Sequence, residues 1–150
     1  MFRKILLPSD GSRYSVEAAL IAAQVAARHE GVVHPLIAVE FQYVEGEDVP
    51  DEVSAVIRER IRTRAQQALD AANAAVRGEG ARTDGGTIRE GRPADAILQE
   101  AEDGEYDLIV MGSRGVSLDH GHERLIGSVT ERVLHRTPCP VLVIRAEPRP

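Results

Sequence analysis

Short apolar runs alternate along this chain with longer amphipathic stretches. Ile5-Leu6-Leu7 is a compact apolar run closed by Pro8-Ser9-Asp10-Gly11, which reads as a buried strand and its loop. From Ser12 to His29 the apolar residues Val16, Ala19, Leu20, Ala23 and Ala27 recur at threes and fours. That spacing predicts a helix with one buried face, and Gly31 fits its stop. Val32 to Val39 reads as a second strand; Pro35, which donates nothing to a ladder, predicts a bulge there or a strand that starts after it.

Residues 40–52 are acidic and read as a loop. From about Asp51 to Arg77 the pattern predicts the longest helix. Its buried stripe is Val53, Val56, Ile57, Ile61, Ala65, Ala68, Leu69, Ala72 and Val76, and Arg58, Glu59, Arg62 and Arg64 form a solvated face. Residues 78–86, with four glycines, predict a mobile turn. Thr87–Glu90 is a weak strand suited to a sheet edge. Pro93 opens a helix at a position where a missing N–H costs nothing; Ile97, Leu98 and Ala101 pack it, and Gly104 stops it. Asp107–Met111 is the clearest central strand. Ser128 and Glu131 have capping-box spacing for a last helix, in which Val129 and Val133 face inward; Val141–Ile144 is the last strand.

The order is βαβαβαβαβ. Strands joined through helices pair in parallel, and right-handed crossovers put helices on both faces. The expected fold is α/β: a doubly wound, five-stranded parallel sheet flanked by about four helices, Rossmann-like, in one domain spanning residues 1–150. At 150 residues the length fits one domain. With no Trp, 2 Phe and 3 Tyr, the core must be aliphatic.

A formal charge of −6 argues against sequence-independent nucleic-acid binding. One cysteine, Cys139, allows no internal disulfide and no zinc framework. No stretch approaches the roughly 18 apolar residues of a membrane span. The expected location is the cytoplasm.

Doubly wound sheets bind ligands at the carboxyl ends of strands, where the strand order reverses. Two loops should meet there: Pro8–Ser12, and the connection that starts at Gly112-Ser113-Arg114-Gly115 and ends at Gly127-Ser128. Glycines let a backbone approach a ligand, and the free N–H groups of a helix start favour an anion. Arg114 and Arg124 would add charge. On position alone, the glycines serve turns and Ser128 caps its helix equally well. No GxxxxGK[ST], no GxGxxG after the first strand and no GxSxG elbow is present.

Four segments then stand out in order: ILLPSDGS, EGRPADAILQEAE, YDLIVMGSRG and GSVTERVLHRTPCPVLVIR. Together they resemble the universal stress protein family over essentially the whole chain. In nucleotide-binding members of that family the signature is G-x-x-G, nine residues, then G-[ST]. Here residues 116–126 make the spacer eleven residues long, two more than the pattern. An outward bulge of the extra residues would preserve the site, since a surface insertion costs little.

The resemblance implies an adenine nucleotide, ATP or a relative, with any Mg2+ or Mn2+ held by its phosphates. It places Pro8, Ser9 and Asp10 beside the adenine or ribose, Val39 with its backbone at the adenine edge, and Gly112 under the ribose. Ser113, Arg114, Gly115, Gly127, Ser128 and Val129 would wrap the phosphates. It also implies a homodimer through the Val141–Ile144 strand. The function expected is a nucleotide-binding stress-response module. A scaffold that has lost its ligand through the lengthened 116–126 loop is the second reading, and a slow ATP hydrolase the third, because no nucleophile or base is positioned for it.

Asp119-His120-Gly121-His122-Glu123 offers metal-ligand types, yet His120 and His122 lack a fixed supporting shell and read as solvated. Asp10 serves equally as a turn former. His29, His34 and His135 show no partner logic in the sequence. Cys139 reads as packed or partly exposed.

Overall fold

The structure, a computed structural model, describes residues 1–41, 48–113 and 126–145. Its strands are β1 (Lys4–Pro8), β2 (Val32–Val39), β3 (Arg82–Thr83), β4 (Thr87–Glu90), β5 (Leu108–Gly112) and β6 (Val141–Ile144). Its helices are α1 (Arg13–His29), α2 (Asp51–Gly78), α3 (Pro93–Gly104) and α4 (Ser128–Arg136). All pairings are parallel, in the order β3-β2-β1-β5-β6, with β4 also on β2.

β3 and β4 occupy one position in the sheet. Val33 pairs with Thr83, but Leu36 pairs with Thr87. Two residues of β2 therefore face three on the neighbouring strand, which is a one-residue bulge. It lies opposite Pro35, whose ring leaves no N–H for that ladder. The sheet thus has the five positions expected, but the break that Pro35 imposes is carried by its neighbour. Residues 78–86 are correspondingly not an open turn. They contain β3 and are pinned where Asn73 Nδ2 donates to the Gly85 carbonyl at 2.9 Å and the Gly86 N–H donates to Asp84 Oδ1 at 3.0 Å.

Side chains alternate across each strand, so the apolar runs feed two cores. Ile5, Leu7, Val33, Leu108 and Val110 point to the face covered by α1 and the second half of α2. Leu6, Leu36, Ile109 and Met111 point to the other face, against Ala94, Ile97 and Ala101 of α3 and Val133 of α4. A fully buried aliphatic side chain contributes about 1.5–3 kcal/mol; Ile5, Leu6, Leu7 and Ile109 are all wholly buried.

α1 reaches the sheet mainly through small residues: after Tyr14, its buried face is Ser15, Ala18, Ala19, Ala22, Ala23 and Ala26. This face is rotated from the expected one, and Val16 is exposed. A helix packed tightly on a sheet selects alanines, whose weak apolarity loses to valine in a pattern count. Its left-handed C-cap is Glu30; Gly31 is needed because a Cβ there would lie 2.6 Å from the Phe2 carbonyl oxygen.

α2 also departs from expectation. Its buried set begins only at Ala65, while Val53, Val56 and Ile57 are exposed. A 28-residue helix is about 42 Å long and outruns the sheet it lies on. Arg58 and Arg62 are not simply solvated: both guanidinium groups lie over the ring of buried Phe41, at 5.0 and 5.3 Å.

No helix among the described residues is long and apolar enough to cross a membrane.

Candidate functional site

The strand order reverses between β1 and β5. β1 runs through α1 to β2 on one side, and β5 pairs with β1 on the other. The carboxyl ends of β2, β1 and β5 therefore stand side by side; Pro8 pairs with Leu36, β2 runs on three residues to Val39, and Gly112 ends β5. This is the crevice position of doubly wound sheets.

Beyond Pro8, the Ser9 N–H donates to the Leu36 carbonyl at 2.9 Å and prolongs the ladder by one step. Asp10 Oδ1 accepts the Ser12 N–H at 2.9 Å, a turn closed by a side chain. Ser12 then caps α1, its Oγ accepting the Ser15 N–H at 3.4 Å. The start of α1 thus carries a side-chain cap of its own, on the Ser15 amide.

At the end of β5, Gly112 faces α1. A Cβ there would meet Tyr14 Cβ at 2.8 Å and the Tyr14 backbone at 3.0 Å. The Gly112 carbonyl accepts the Thr130 hydroxyl at 2.9 Å, which ties α4 to β5. Ser113 is buried; its N–H donates to the Ile144 carbonyl at 2.9 Å and its carbonyl accepts the Gly127 N–H at 2.6 Å. Gly112-Ser113 and Gly127 therefore meet in space. Two of the amides expected to greet an anion, those of Ser113 and Gly127, are engaged internally.

Among the described residues, the amides left open at this end lie one step further on. Gly127, not Ser128, is the N-cap of α4, and no side chain caps the helix. The expected capping box is absent: Glu131 lies 4.0 Å from His135 instead. Ser128, Val129 and Thr130 are the first three residues of the helix, whose N–H groups have no partner within it. Ser128 is exposed and Val129 half-buried against the second core.

Val39 sits differently from the expectation. Its carbonyl accepts the Gly91 N–H at 2.8 Å, so its backbone groups are turned toward β4. Leu36 points its carbonyl toward β1, and by strand alternation Ala38 and Glu40 do the same past the end of β1. Arg114, Gly115, His120, His122 and Arg124 lie outside the described residues. Among those that are described, no three metal-ligating side chains cluster.

A second polar constellation was not legible in the sequence. His34 on β2 meets Asp84 through Nδ1 at 2.9 Å and Thr87 Oγ1 through Nε2 at 2.9 Å, with Glu100 Oε1 at 3.5 Å. Glu100 also accepts the buried Tyr106 hydroxyl at 2.9 Å and pairs with Arg89 at 2.9 Å. The five partners come from four separate elements or connections, so no local spacing reveals them. Among the described residues no buried side-chain polar atom lacks a partner.

Burial, reinforced by the Glu100 carboxylate, pushes the Tyr106 phenol well above its ordinary range. A raised native pKa contributes stability that is intact below about pH 10 and is lost as pH rises beyond it, because only the unfolded chain then releases the proton. The alkaline limb of a stability–pH curve should fall by up to about 1.4 kcal/mol per pH unit on account of this one group. Denaturant melts of Tyr106→Phe between pH 9 and 11, roughly the range where free tyrosine titrates, should show a shallower fall than the parent; equal slopes would mean that the phenol is not held neutral.

With this geometry in place, the comparisons decide the family. The family model for the universal stress protein family matches residues 1–145. The chain belongs to the universal stress protein family. A universal stress protein of Methanocaldococcus jannaschii is 36% identical over 147 residues, covering 97% of this chain and 83% of that one. The solved universal stress protein UspA of Lactobacillus plantarum superposes with a TM-score of 0.78 at 29% identity, over 96% of this chain and 98% of that one. A universal stress protein solved in complex with cAMP superposes with a TM-score of 0.67 at 26% identity, over 97% and 98% of the two chains.

Proposed function

We propose that this universal stress protein binds an adenine nucleotide in the crevice above β1 and β5 and serves as a regulatory stress-response module. The observation that carries this reading is the contrast between two helix starts at one crevice. α1 is closed by Ser12 and Asp10, whereas α4 begins without a side-chain cap. An uncapped helix start beside a strand-order reversal is suited to phosphate. The related protein that holds cAMP supports the adenine class of ligand.

In this reading Pro8, Ser9 and Asp10 flank the base and ribose, and the Ala38 and Glu40 backbone replaces that of Val39 at the adenine edge. The amides of Ser128, Val129 and Thr130 take the phosphates, with Gly112, Ser113 and Gly127 holding the frame and Arg114 and Gly115 closing it. ATP is the nucleotide favoured, with any Mg2+ or Mn2+ carried on its phosphates. The protein forms a homodimer through β6, which ends the sheet with Leu142 exposed.

Calorimetric titration with ATP, ADP, AMP and cAMP tests the reading. At least one should bind, and Ser128→Asp should weaken it about tenfold or more by placing like charge on the phosphates. The same substitution should leave thermal stability equal or slightly raised, since an acid suits a helix start. Silence across all four nucleotides would favour the second reading, a scaffold without ligand. The internal use of the Ser113 and Gly127 amides is what supports that alternative.

A further inference from the structure

We infer that the first half of α2 is a self-association surface, paired antiparallel with α2 of a second copy of this chain. The contact is separate from β6, which lies at the opposite edge of the sheet from β3 and β4. Val53, Val56 and Ile57 are 47%, 61% and 38% exposed. With Arg60 and Arg64 they share one side of the helix, since their spacings are three, one, three and four. The side toward the sheet is already taken, by Arg58 and Arg62 over Phe41 and then by Ala65 and Leu69. An open, shallow depression borders this part of the helix, lined by Val56, Glu59, Arg60, Thr63 and Arg64.

Charge selects the occupant and its direction. Asp48, Asp51 and Glu52 precede the apolar residues, and Arg60 and Arg64 follow them on the same helix. A helix rises about 1.5 Å per residue. With Val56 and Ile57 of the two copies at the centre, Arg60 and the pair Glu52–Val53 lie at matching distances on opposite sides. An antiparallel copy therefore sets Arg60 against Glu52, twice over. A parallel copy would stack arginine on arginine. The aliphatic stem of Arg60 covers Val53 while its guanidinium reaches the carboxylate. A contact of three small apolar side chains per copy belongs to the weak class of interfaces. Used together with a β6 dimer, it would link dimers into larger assemblies.

Sedimentation of the full chain over a hundredfold concentration range tests this, with circular dichroism as a check on folding. Association should be weakened about tenfold or more by Val56→Glu, which desolvates a charge in the seam. Glu52→Arg and Arg60→Glu should each weaken it several-fold, and the double exchange should restore it to near the parent value. Because all three positions are exposed, the variants should fold normally. A parent mass that does not change with concentration, an unchanged constant in Val56→Glu, or a double exchange as weak as the singles would each overturn the inference.

Discussion

Gly112→Val should lower the stability of this protein by about 3 kcal/mol and, together with it, abolish the nucleotide binding proposed above. Gly112 ends β5 and lies under the first turn of α1. The first added carbon would sit 2.8 Å from Tyr14 Cβ and 3.0 Å from its backbone carbon and oxygen. Backbone atoms cannot swing aside as a side-chain tip does, and valine adds two further methyl groups. Overfilling of this kind costs about 1–3 kcal/mol, and more where backbone must move. For a domain of this size the melting temperature should fall by roughly 6–12 °C. The only relief is for α1 to lift from β5, which carries the Pro8–Ser12 turn away from α4. Gly112→Ala should show a smaller loss of both. A valine variant that melts with the parent would mean that α1 is not seated on β5 as described.

Gly86→Val should be about as damaging, at roughly 3–5 kcal/mol, for a different combination of reasons. Gly86 has φ of +75°, a conformation that a β-branched residue adopts only under strain. A Cβ there would also overlap the Pro35 carbonyl oxygen and approach Leu69 Cδ1 to 2.9 Å. Its neighbour provides the control. Gly85 has φ of +96° with no atom within 4 Å of an added Cβ, so Gly85→Val measures strain alone, about 1–3 kcal/mol. Denaturant unfolding of both variants checks this. Equal losses would show that contact with Pro35 contributes nothing.

These two glycines also show where sequence reading works and where it stops. The strands β1, β2 and β5 were legible because a strand buried on both faces is a continuous apolar run, and Ile5-Leu6-Leu7 and Leu108–Met111 are such runs. The location of the crevice followed from element order alone, since the order fixes where the winding reverses. Finer features were not legible. The buried face of α1 is chosen by how closely the helix approaches, which only the Tyr14–Gly112 contact reveals. Ser128 looks like a cap because of Glu131, three residues on, but chain direction at Gly127 decides the cap. Val39 marks the end of β2 correctly, yet which neighbour its backbone faces depends on register, and register is set by the bulge opposite Pro35. His34 finds Asp84, Thr87 and Glu100 across 50 to 66 residues of chain, a distance no local pattern spans.

One short hydrogen bond has a wider consequence. The Gly127 N–H donates to the Ser113 carbonyl, so the chain entering the connection and the chain leaving it are clasped at a neck. With both ends of the connection held there, its length is a cheap variable: doubling such a span costs only about 0.6 kcal/mol, and α4 keeps its seat. Nature can lengthen or rewrite that stretch in one member of the family without redesigning the scaffold, and a protein engineer could graft a foreign peptide there on the same terms.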